Sequence, residues 1–192
     1  MEKPKYTLKT NEAVMQSPKQ ATWFKVIKII ALLLVAGILI GSVFAHKNLF
    51  MEMPIIVRIL VVLFIVGVIV VSMRKKDTPS PMELQFYNNQ LVLYRPMKVY
   101  SGQKARREMN TMKYTEITDC VYKTKSQRID IYGSVKATWY QFYKNGQMAK
   151  SPTSDRYVKD TLLFFRTNFA TDVDFKKEIE EHSPIRVRVE NV

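Results

Sequence analysis

The chain has 192 residues, a formal net charge of +13, one cysteine and two histidines. A single cysteine excludes an internal disulfide and a multi-cysteine zinc site, and it suits a reducing compartment. A Ser/His, Cys/His or His-based metal set would have to be built around His182 alone, and six glycines leave little room for a phosphate loop. No cofactor is expected, and the chain reads as a non-enzyme.

Residues 1–21 mix Lys, Thr, Gln, Ser and two prolines with few apolar positions. That composition predicts a disordered cytosolic tail. Two apolar runs follow, Val26–Ala45 and Ile55–Met73, giving a helical hairpin over 22–73. Neither run has the polar face of a soluble amphipathic helix, and each approaches the roughly 20 residues that span a bilayer. Trp23 and Phe24 stand where an aromatic belt forms, and Lys25 and Lys28 can snorkel to the interface. Pro54 suits a helix start. Arg58 interrupts the second run and is expected to snorkel or to face its partner helix. Gly37 and Gly41 form a small-xxx-small pair, read as packing against Gly67 inside the hairpin or as a homodimer face.

Lys3, Lys5, Lys9, Lys19, Lys25 and Lys28 precede the first span, and Arg74-Lys75-Lys76 follow the second. By the positive-inside rule this predicts a multi-pass inner-membrane protein with both termini cytoplasmic. Val43-Phe44-Ala45 could serve as a signal-peptide cleavage site, but the preceding polar and apolar stretches are long for one.

Residues 74–81, Arg-Lys-Lys-Asp-Thr-Pro-Ser-Pro, read as a basic flank and stiff linker. From Met82 the period changes to two. Leu84 and Phe86, then Leu91 and Leu93, predict strands joined by a turn at Asn88-Asn89-Gln90, with Pro96 breaking or bulging the second. Ser101–Arg107 is a basic connection, Met109–Tyr114 a third strand, and Thr115–Asp119 a short turn. Cys120–Lys125 and Arg128–Tyr132 are the next two strands, the latter ended by Gly133. Aromatic-rich Ala137–Tyr143 leads into a Lys144-Asn145-Gly146 turn, residues 147–157 form a loop, and apolar Thr161–Thr167 is a more central strand. Thr171 with Asp174 makes a capping box for one helix, which His182 completes at the C-terminal end and Pro184 terminates. Ile185–Val189 alternates and suggests an edge strand.

A mostly β, α+β domain over 82–192, attached to a two-helix transmembrane hairpin, resembles the bacterial pleckstrin-homology-like (PH-like) membrane proteins. The hairpin, Tyr-Thr-Glu-Ile-Thr-Asp-Cys-Val at 114–121 and Leu-Phe-Phe-Arg-Thr-Asn running into the helix at 163–179 carry that resemblance. It implies a barrel of about seven antiparallel strands plugged by a C-terminal helix. Phosphoinositide-binding members of the wider fold cluster basic residues around the first strand–strand turn, whereas here that turn has none.

Residues 74–192 carry 22 Lys/Arg against 14 Asp/Glu, so a basic domain faces the anionic leaflet. Arg74, Lys75, Lys76, Lys104, Arg106, Arg107, Lys123, Lys125 and Arg128 are the candidate surface for anionic lipid headgroups or a protein partner. Each cluster has a blander reading as a solvated face. Tethering to the membrane disfavours nucleic acid as partner. The alternative function is a structural subunit of a membrane complex, with a homo-oligomer among the assemblies expected, built through Gly37, Gly41 and Arg58.

Overall fold

The computed structural model describes residues 3–16, 22–73, 76–99, 105–143 and 145–192. The chain divides into two compact units, one made of Met1–Gln16 with Asp77–Val192, the other of Ser17–Lys76.

The second unit holds α1 (Thr22–Phe44), the short α2 (Leu49–Glu52) and α3 (Ile55–Met73). Trp23–Phe44 and Ile55–Ser72 have mean hydropathies of 2.7 and 3.1, and their side chains are almost wholly unburied. Both are long and apolar enough to cross a bilayer. Asn48 caps α2 by accepting from the Met51 N–H. Gly41 does not meet Gly67. A Cβ on Gly41 would lie 2.7 Å from the Leu49 Cδ1, while Gly37 and Gly67 have nothing within 4 Å. Arg58 turns its Nη1 toward the Met51 sulfur, 3.5 Å away, and so lies over α2.

The first unit is an open, curled, mixed sheet. Its strands are β1 (Tyr6–Gln16), β2 (Lys76–Phe86), β3 (Gln90–Lys98), β4 (Arg106–Lys113), β5 (Ile117–Lys123), β6 (Arg128–Gln141), β7 (Ser154–Arg166) and β8 (Arg188–Glu190). The order is β1-β2-β3-β4-β6-β5-β8, with β7 on the other edge of β6. Two expectations fail at the N-terminal side. Residues 6–16 are not a tail but β1, and Lys76–Pro81 belong to β2 rather than to a linker. The Lys5 N–H donates to the Phe86 carbonyl at one end, and the Thr78 hydroxyl donates to the Val14 carbonyl at the other. The two strands are therefore antiparallel neighbours, and the helical hairpin is an insertion between them. Pro79 and Pro81 lie beyond the β2–β3 ladder, which ends at Glu83↔Tyr94, so their missing N–H groups break no bond to β3.

The remaining strands follow the sequence periodicity with local changes. The turn after Phe86 closes with the Tyr87 N–H on the Gln90 carbonyl, and the register shifts between Arg95 and Lys98, around Pro96. β4 and β5, joined by a 3-10 turn at Tyr114–Glu116, pair with successive halves of β6. Gly133 does not end a strand. It kinks one long strand at φ 146°, and a side chain there would collide with the Glu116 carbonyl. Gly146, at φ 81°, closes the turn before β7. β7 begins at Ser154, earlier than expected, and among the described strands it pairs with β6 alone. The tail forms β8, parallel to β5, which makes the sheet mixed rather than wholly antiparallel.

Helix α4 (Phe175–His182) is capped by Asp174, whose carboxylate accepts from the Lys177 N–H; Thr171 lies outside it. Phe175 and Ile179 are buried against Leu84, Phe86, Met112, Ile131 and Phe165. The His182 ring stacks on Tyr6 at 3.6 Å, and the Tyr6 hydroxyl donates to Glu178 at 2.7 Å. The C-terminal helix and the N-terminal strand thus close one end of the curl together.

Candidate functional site

Paired residues share a face of a sheet, and along each strand that face recurs every second residue. On β3 the core face runs Leu91, Leu93, Arg95; on β4 it runs Met112, Asn110, Glu108, Arg106. The register then joins Glu108 to Trp139 and Asn110 to Ala137 on β6. The inner face is apolar toward α4 and becomes charged toward the opposite strand ends, where Glu12 of β1 joins it.

Glu12, Arg95 and Glu108 are 1%, 4% and 6% exposed. Arg95 grips Glu12 with two donors, Nε at 2.5 Å and Nη2 at 2.8 Å, and Nη2 also donates to the Phe164 carbonyl at 2.9 Å. Lys98 Nζ lies 3.1 Å from Glu12, Arg95 Nη1 lies 3.4 Å from Glu108, and Arg106 Nε donates to Glu108 at 2.5 Å. The result is an alternating chain, Lys98–Glu12–Arg95–Glu108–Arg106, which starts and ends on a cation. Burial, reinforced by Arg95, pulls the Lys98 pKa down, and Glu12 and Glu108 oppose that shift. Both terminal cations line one cavity of about 300 Å³, with Asn110, Trp139, Leu162 and Phe164. The Trp139 ring carries Arg106 on it at 4.9 Å and Arg156 at 5.0 Å.

The expected basic surface is distributed differently. Arg74, Lys75 and Lys104 fall outside the described residues. Lys76 is exposed at the start of β2, and Lys125 is exposed in the β5–β6 turn. Arg106 and Arg107 are consecutive in β4 rather than in a loop, so they take opposite faces. Arg107 is half-buried and its Nε has no hydrogen-bond partner among the described residues. Lys123 and Arg128 sit across from each other on β5 and β6 and both hold the fully buried Asp130, at 3.0 and 2.5 Å. Burial alone would raise the Asp130 pKa, but the bonds from Arg128 and Lys123 outweigh it and hold the carboxyl below its ordinary value. Arg128 also lies over the Phe164 ring at 4.7 Å. These two cations are engaged in an internal ion cluster.

Cys120 is buried, and desolvation, with help from Asp119 and Asp130, pushes its thiol pKa up to about 12. It is not a nucleophile at neutral pH. Among the described residues no three His, Cys, Asp or Glu side chains converge as metal ligands.

Glu12, Arg95, Lys98 and Glu108 were not singled out by the sequence reading. Glu12 lay in a presumed tail. The other three carried a signal in the alternation itself, since charged residues continue the core parity of Leu91-Leu93 and Met112. The chain matches no protein-family model, and neither the curated proteins nor the solved structures contain a match to it.

Proposed function

We propose that this is a membrane-anchored, non-enzymatic interaction module: a PH-like curl held at the inner leaflet, which engages anionic headgroups or a protein partner there. One observation supports the reading above others. Two helices of spanning length are inserted between neighbouring antiparallel strands, so the chain leaves the sheet and re-enters it one strand spacing away, about 5 Å. A hairpin anchored in that way starts and finishes on one side of a bilayer. The positive-inside rule makes that side cytoplasmic, and the basic sheet unit stays with it. Gly37 and Gly67, open on the spans, support a second reading in which the hairpin packs against other spans or a second copy.

Topology is tested on the full chain in cells with an impermeant maleimide. The native Cys120 is buried and stays silent. Lys47→Cys, between the spans, is expected to label in intact cells, and Lys125→Cys only after lysis. The reverse pattern overturns the orientation. Headgroup binding is tested by hydrogen exchange of the full chain in nanodiscs. Anionic lipid should slow exchange around Lys125 relative to zwitterionic lipid. High salt should abolish the difference, because the Debye length falls from about 10 Å at 0.1 M to about 3 Å at 1 M. Identical exchange in both lipids refutes the headgroup version and leaves the protein partner.

A further inference from the structure

Strand β7 pairs with β6 alone among the described strands. Its stretch Asp155-Arg156-Tyr157-Val158-Lys159-Asp160 is exposed on both faces, with Tyr157 at 53% and Val158 at 40%. A strand so placed turns every second N–H and C=O away from its neighbour, which makes its edge a template for another strand. The later half of β7 is covered, since the Phe164 carbonyl accepts from Arg95 and Arg166 donates to Asp77 at 2.6 Å. Lys159 and Asp160 are also free of the β6 ladder, which passes from Val135↔Val158 to Gly133↔Thr161. Asp160, at φ 46°, ends the regular extended run.

Edges are commonly blunted by charge, and a strand of one sign would repel its own copy. The open stretch of β7 carries both signs, and their order decides the partner. A two-fold axis that pairs a strand antiparallel with itself stands normal to the sheet, so each side chain keeps its face. Only residues of the same parity can then stand opposite. The register centred between Tyr157 and Val158 would put Asp155 on Asp160 and Arg156 on Lys159, like charge on like charge, and parity forbids it. The register centred on Tyr157 is allowed, and it puts Asp155 of each copy opposite Lys159 of the other. Lys159 has no ion-pair partner among the described residues, and Asp155 meets only the exposed Lys136, at 3.5 Å, and the Thr138 hydroxyl. We infer that this edge is a dimerisation surface on which β7 pairs antiparallel with β7 of a second copy, joining the two sheets across the axis. The two Tyr157 rings meet at the centre, flanked by the two Asp155–Lys159 pairs. This goes beyond the headgroup and partner reading and does not rest on it, because the edge belongs to the sheet unit alone. It is also separate from any packing of the spans at Gly37 and Gly67.

The native Cys120 is buried, so an added cysteine reports alone. In the full chain in nonionic detergent, Tyr157→Cys is expected to give a disulfide-linked dimer on mild oxidation. Directly opposed Cβ atoms lie about 4.5–5.5 Å apart, within reach of such a bond. Lys136→Cys is the control, because Lys136 is the register partner of Tyr157 on β6. Its two copies would be three strand spacings apart, about 14 Å, and should not link. Charge reversal gives a readout without cysteine. Lys159→Glu should weaken the dimer about tenfold in sedimentation equilibrium, since it turns two attractive cross-strand pairs into repulsive ones. Adding Asp155→Lys to that chain should restore the dimer, and Lys125→Glu alone should leave it unchanged. A chain that stays monomeric overturns the inference, as does Lys136→Cys linking as readily as Tyr157→Cys. A dimer that withstands Lys159→Glu but dissociates with Gly37→Leu belongs to the spans and overturns it as well.

Discussion

Glu12 provides the sharpest test of the fold, because it lies in a stretch whose composition reads as a tail. It is 1% exposed and holds Arg95 at 2.5 and 2.8 Å and Lys98 at 3.1 Å. Glu12→Ala removes one carboxylate and leaves two buried cations short of a counter-charge. Breaking a buried pair from one side costs about 3–5 kcal/mol, far more than the pair's net worth, because the orphaned charge keeps its desolvation penalty. Unfolding domains of this size shift by roughly 3–5 °C per kcal/mol, so the melting temperature should fall by about 10–20 °C. The proper control is Lys9→Ala on the same strand. Its ammonium is exposed and lies 3.8 Å from Glu83, and such surface pairs contribute about 0–1 kcal/mol. Thermal unfolding of the full chain in detergent, followed by circular dichroism in the sheet region, compares the two. If Glu12→Ala melts within a degree or two of Lys9→Ala, β1 is not a core strand and the inserted-hairpin arrangement is wrong.

Three further outcomes follow from the same geometry. Replacing residues 17–75 with a turn of a few residues should yield a soluble, folded protein, since adjacent antiparallel strand ends are about 5 Å apart; removing 1–16 as well should leave it aggregated or unfolded, which gel filtration and circular dichroism will show. Asp130→Asn should cost about 2–3 kcal/mol at neutral pH by leaving Lys123 and Arg128 without their carboxylate. The Asp130 pKa is lower in the folded protein, so its contribution is fully present above the unfolded value near 4 and is lost as pH falls through the folded one. Denaturant midpoints measured across that window should decline for the wild type and flatten for the variant. Gly133→Ala should cost about 2–4 kcal/mol, because φ 146° disfavours a side chain and the Glu116 carbonyl leaves no space for one.

What could be read from the sequence, and what could not, follows from the range of the physics involved. Strand alternation is local, so the Asn88–Gln90 turn, the disturbance at Pro96, the 143–147 turn and the closing helix were visible in short windows. Strand β1 was not visible. Lys5–Gln16 is half polar, and its reason to be ordered lies 83 residues away, where Arg95 binds Glu12. The helical hairpin hid the connection further, since a pairing that spans two long apolar helices offers no turn signal between its strands. The basic residues of the expected surface are dispersed for a related reason. Counting lysines and arginines in a window treats them as free, but Lys123 and Arg128 are held by Asp130 and Arg106 by Glu108. The informative pattern was parity rather than density. Arg95, Glu108 and Arg106 stand at positions whose neighbours two residues away are core, and a charged residue on a core face must be paired, as these are.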